Sequence, residues 1–228
     1  MTVLTALQSA CTVIGLEVPS VVYGSTEREH TELASLTNEI AKRIAQSYDW
    51  QRLKTVATIT GDGTTEDWSL PTDYAGMIKK ANLWSTSQPT ISLVHQPDSD
   101  RWLYNEVTDF TTITPQWTIY GGQIHIRPAL ALADAVRYFY LSNIIVSGSK
   151  TAFTADADTF LLDERLLSLG VIWQWKANKG LPYAEDMANY EDALANLIGS
   201  DKGSNILVVG NPRLRMGATY AFPAVITP

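Results

Sequence analysis

Apolar positions along this chain follow two different periods, and the changes of period divide it. Over residues 2–14, Val3, Leu4, Leu7, Cys11 and Ile14 fall on one helical face, and Gly15 follows as a stop. A loop containing Pro19 and Gly24 comes next. Thr26 and Glu29 then have the spacing of a capping box, which predicts a helix carrying Leu33, Leu36, Ile40, Ile44 and Tyr48 on one face. At Tyr48-Asp49-Trp50-Gln51-Arg52-Leu53 the period changes. From Leu53 apolar and polar residues alternate, and turn residues crowd in.

The alternation predicts strands at 55–60, 66–70, 77–84, 91–95, 117–120, 123–127 and 135–145. Gly61-Asp62-Gly63-Thr64 predicts a hairpin between the first two, and Gly121-Gly122 predicts another, because tight hairpins need positive φ. In the last strand Val136, Tyr138 and Tyr140 alternate against Arg137, Phe139 and Leu141. The helical period returns near Asp163, a good N-cap. Leu166, Leu169, Ile172, Trp173 and Lys176 mark one helix, which Gly180 stops. After Pro182, Tyr183, Met187, Tyr190, Leu194 and Leu197 form the stripe of another, which ends at Gly199.

The expected fold is therefore α+β. A four-helix bundle contributes a first half at 1–52 and a second half at 149–202. An antiparallel β sandwich or barrel at 53–148 is inserted between them. Residues 203–228 carry spaced glycines and prolines and read as an extended C-terminal arm, with a reach of about 85 Å.

Composition narrows the function. Hydrophobic residues make up 45% and charged ones 18%, enough for a packed core. The net charge of −7 argues against a protein that grips phosphates. That charge is uneven: the arm and its root hold Lys202, Arg213 and Arg215 with no acidic residue, so the remainder carries −10. The single cysteine, Cys11, excludes an intrachain disulfide. Neither a signal sequence nor a run of 18 apolar residues occurs, which points to synthesis in a cytoplasm and no membrane partner.

Reaction chemistry is sparse. His30, His95 and His125 lie in different elements and form no zinc pattern. Asp156, Asp158, Asp163 and Glu164 are the densest carboxylates. Counted from Asp156, an EF-hand would need a glycine at Leu161 and oxygen ligands at Phe160 and Leu167, so that pattern fails. A polar loop entering a helix N-terminus accounts for the same residues. Gly61-x-Gly63 lies in a hairpin and lacks the Lys-Ser/Thr of a phosphate loop. Tyr138-Phe139-Tyr140 offers aromatic rings with only Arg137 beside them, which favours packing over base stacking. No catalytic residue, metal or cofactor is expected.

Several short motifs carry a resemblance. Tyr48-Asp49-Trp50-x-x-Leu53, the Gly-Asp-Gly turn and Trp68-Ser69-Leu70-Pro71-x-Asp73-Tyr74 are similar to the head-to-tail adaptor (connector) proteins of tailed bacteriophages. So are Leu166-Leu167-x-Leu169-Gly170, Trp173-x-Trp175-Lys176 and Gly180-Leu181-x-Tyr183-Ala184-x-x-Met187-x-x-Tyr190-Glu191. The resemblance implies a non-enzymatic virion protein at the head–tail interface. About twelve copies would form a homo-oligomeric ring between the portal protein and a downstream tail or nozzle protein. That ring would extend the DNA channel and let DNA pass without sequence-specific binding. It also implies that the arm reaches the portal, and Arg213, Arg215, Tyr220 and Phe222 are the expected contacts with portal or a neighbouring subunit. The rival expectation is a carbohydrate- or protein-binding β module of a tail component, which would present Trp84, Trp102 or Trp117 on one concave face.

Overall fold

The computed structural model describes residues 2–79, 81–108 and 114–201. Its helices are α1 (Val3–Ile14), α2 (Arg28–Ser47), α3 (Ser99–Val107), α4 (Glu164–Asn178) and α5 (Ala184–Asp201). The strands are β1 (Lys54–Thr60), β2 (Asp67–Ser69), β3 (Tyr74–Met77), β4 (Leu83–Ser85), β5 (Ser92–His95), β6 (Gln116–Tyr120), β7 (Gln123–Arg127) and β8 (Ala135–Ser142). The fold is α+β.

α1, α2 and α5 each pack against α4. Leu7, Leu33, Ile40, Ile44, Leu166, Leu167, Val171 and Trp175 are buried where these helices meet. The contacts establish a central α4 with three helices laid on it; the closed four-helix bundle expected from the periodicity goes further than that. Gly170 permits a close approach of α4 to α2: a Cβ there would collide with Cγ2 of Ile40. Asp163 caps α4 as its sequence position predicts, accepting from the Leu166 N–H at 2.7 Å. The capping box at Thr26 does not form. α2 starts one residue later than the box requires, and Glu27 at its cap position makes no side-chain capping hydrogen bond. Ser25 takes over locally: its hydroxyl accepts from the Glu27 N–H at 3.2 Å and pairs with His30 Nδ1 at 2.8 Å.

The strands form one nearly closed, barrel-like sheet in the order β1-β8-β4-β5-β6-β7-β2, with β3 also paired to β8. Three expectations need correction here. First, β1 and β2 are not a hairpin. β1 pairs along its whole length with β8, from Lys54 opposite Leu141 to Thr60 opposite Ala135, and β2 pairs with β7. Asp62 turns the chain away by accepting from the N–H groups of Thr64 and Thr65 and from the Thr65 hydroxyl. Gly61 and Gly63 instead bond to the 130–134 loop. Second, the sheet is not wholly antiparallel, because β5 and β6 run parallel. A parallel pair needs a crossover, and α3 lies within it as an additional helix in the β module. Asp98 caps α3 through the N–H groups of Asp100 and Arg101. Third, the strand expected over 77–84 is two strands, β3 and β4, which share one edge of β8.

The β6–β7 hairpin forms as predicted. Gly121 and Gly122 both have positive φ, 60° and 78°. Inside the sheet, Ile59, Leu83, Leu93, Trp117, Ile124, Ile126, Val136, Tyr138 and Tyr140 make a second core, separate from the helical one. The two meet near Asp73, whose carboxylate accepts from the Tyr140 hydroxyl at 2.8 Å and the Ser142 hydroxyl at 2.7 Å. Leu141, on the next register position, packs against the helical core.

Candidate interaction surfaces

β8 alternates strictly: Val136, Tyr138 and Tyr140 point into the core, while Arg137 and Phe139 point out. On its outer face Val56 of β1 stands directly opposite Phe139, and Arg137 lies between Thr58 of β1 and Trp84 of β4. Side chains paired across strands in this way act as a unit. Val56, Trp84 and Phe139 are 50%, 45% and 55% exposed. They line a groove of about 730 Å³ with Ile78, Lys54 and Arg137, and among the described residues no carboxylate lines it. An apolar floor with two cations suits an apolar segment of extended chain.

A second exposed patch lies on α3. Leu103, Tyr104 and Val107 face outward, while Trp102 is buried. Beneath α3 the Trp102 ring lies 6.5 Å from that of His125. His125 stacks on Tyr120 at 3.6 Å, and its Nδ1 pairs with Asp67 at 2.6 Å. His95 stacks on Trp117 at 4.3 Å. All three histidines thus serve local packing or hydrogen bonding.

The carboxylates near residue 156 are equally committed. Asp156 accepts from the N–H groups of Val22 and Tyr23, fixing the α1–α2 loop. Asp158 accepts from Lys150 Nζ at 2.6 Å and from the N–H groups of Thr154 and Ala155. Burial alone would raise the Asp158 carboxyl, but these hydrogen bonds outweigh it and hold it below its ordinary value. Among the described residues, no three His, Cys, Asp or Glu side chains are placed to hold a metal ion. No helix among them is long and apolar enough to cross a membrane.

The sequence model of the SU10 adaptor protein family matches residues 1–213. The chain belongs to the SU10 adaptor protein family. This is a family of phage head–tail adaptors, so the resemblance read from the motifs is correct, and the chain is a structural component of a phage. No curated protein sequence matches it. The matched range, residues 1–213, spans both the helical layer and the β module.

The motifs of this SU10 adaptor have packing roles. Trp50 is buried with its ring edge-on to Tyr48 at 5.4 Å, Asp73 ties β3 to β8, and Gly170 lets α4 approach α2. The four residues expected to touch a partner, Arg213, Arg215, Tyr220 and Phe222, lie outside the described residues. Of the tryptophans that a sugar-binding face would need, Trp102 and Trp117 are buried and only Trp84 is exposed. Sequence reading missed the α3 patch and the groove. The groove had a signal, the outward parity of Arg137 and Phe139, but the pairing that brings Val56 and Trp84 beside them joins residues far apart in the chain.

Proposed function

We propose that this adaptor assembles as a homo-oligomeric ring of about twelve copies between portal and tail, extending the DNA channel. The family match over residues 1–213 carries this reading. Residues 1–52 and 149–202 act as its helical body, 53–148 as the module presented to neighbours, and 203–228 as the arm. Arg213, Arg215, Tyr220 and Phe222 bind portal or the adjacent subunit, and a nozzle or tail protein follows on the other side. The acidic body, −9 without the arm, suits a channel that DNA slides through, because acidic residues outnumber the cations that could hold phosphates. The exposed apolar patch on α3, formed by Leu103, Tyr104 and Val107, supplies surface for contacts between chains. The protein does its work in the virion, as a structural part and not as an enzyme.

The test is the native mass of purified portal mixed with the full chain. Equal copy numbers of portal and adaptor in one complex are expected. A monomer that stays apart from portal at micromolar concentrations would refute the reading.

A further inference from the structure

The described chain ends at the rim of the groove on β1, β8 and β4. Asp201, the last residue of α5, accepts a hydrogen bond from the Gln51 backbone N–H at 2.9 Å, and Gln51 lines that groove. Residues after Asp201 therefore start from its mouth. The sequence continues Lys202-Gly203-Ser204-Asn205 and then Ile206-Leu207-Val208-Val209, before Gly210 and Pro212 interrupt it. Between 202 and 228 this is the one stretch of four consecutive aliphatic residues.

Reach, polarity and residue type agree. Five residues of extended chain span at most about 17 Å, which is also the greatest distance from Gln51 to Val56 along the backbone. Ile206 can therefore arrive over the exposed side chains of Val56, Phe139 and Trp84. The stretch 203–212 carries no charge, so it meets Lys54 and Arg137 without placing a like charge beside them. Ile and Val favour the extended backbone that a groove on a sheet face accepts.

We propose that this groove is the seat of the chain's own residues 206–209. The arm is then rooted on the β module, and its distal part, from Arg213 onward, is what remains to reach outward. This assignment is independent of what those distal residues contact.

Thiol chemistry tests it on the full chain. Cys11, the native cysteine, is fully buried and gives little background. With Phe139→Cys introduced, maleimide labelling is expected to be at least tenfold slower than in the same chain also carrying Leu207→Asp and Val209→Asp. Equal rates would overturn the proposal. Phe139→Cys is then combined in turn with Ile206→Cys, Leu207→Cys and Val208→Cys and oxidised. A disulfide within one chain is expected for at least one pairing. A disulfide that forms only between mixed, singly substituted chains would give the groove to a neighbour's arm and overturn the assignment, as would failure to cross-link in every pairing.

Discussion

The Trp50 indole Nε1 donates to the Ile44 carbonyl oxygen at 2.7 Å, closing the last turn of α2 with a side chain from beyond the helix. Carbonyls in a last helical turn have no backbone partner within the helix, and this buried one accepts from the Ser47 hydroxyl at 2.7 Å as well as from Trp50. Trp50→Phe keeps most of the packing and removes one of the two donors, so it should cost about 0.5–1.5 kcal/mol. Trp50→Ala should cost about 3–5 kcal/mol, since the aromatic volume is lost as well. Urea unfolding of both variants checks the order; a Trp50→Phe variant as stable as the native chain would mean that the hydrogen bond contributes little.

Gly170 and Ile40 meet where α4 crosses α2, with no room for a side chain on Gly170. Gly170→Ala places a methyl group against Ile40 Cγ2 and within 3.3 Å of the Tyr190 ring. Overpacking of this kind should cost about 1–3 kcal/mol. Ile40→Ala makes room, so the double variant should lose less than the two single losses combined. Additivity across the cycle would show that the two sites do not touch in solution.

Asp158 makes stability depend on acid. Its folded carboxyl holds a proton less tightly than an unfolded aspartate, whose pKa is about 3.9. The stabilisation is therefore complete above that pH and disappears as pH falls through the lower, folded value. Asp73 and Asp134 are depressed in the same direction, each by hydrogen bonds that outweigh its burial. Unfolding midpoints should fall below about pH 4, and Asp158→Asn should flatten that decline without abolishing it. A series of urea titrations across the acid range measures the slope.

The arm should govern association and leave the fold alone. Alanine at Arg213, Arg215, Tyr220 and Phe222 together is expected to weaken portal binding by more than about tenfold, as loss of Arg and aromatic anchors does at other interfaces. The melting temperature should stay unchanged. Sedimentation of portal mixtures reads the first quantity and calorimetry the second; a variant that binds portal normally would remove the arm from the contact.

Local features were legible in the sequence where one segment supplies all the information. The stripe of Leu33, Ile40 and Ile44, the Asp163 cap and the paired positive-φ glycines at 121 and 122 are of that kind. So is the parity of β8, which separates buried Tyr138 and Tyr140 from exposed Phe139. Features decided by competition were not legible. Ser25 takes the role that the spacing of Thr26 and Glu29 suggested, and Asp62 uses its carboxylate to break the expected hairpin. Pairings of distant segments were out of reach altogether. Nothing near Val56 says that Phe139 will face it, and nothing near Val94 says that it will run parallel to Gln116.

The rejected hairpin has a consequence for synthesis. β1 finds its partner only when β8 has been made, more than seventy residues later, and α1 and α2 wait longer still for α4. Closing such long loops is slow compared with local pairing. A nascent chain therefore emerges with its first helices and first strand unpartnered, holding the β core open until β8 is translated and the helical core open until α4 is. Premature termination before β8 yields a fragment with neither core complete, and termination between β8 and α4 leaves the helical core open, so both kinds of fragment expose apolar surface that favours aggregation over assembly.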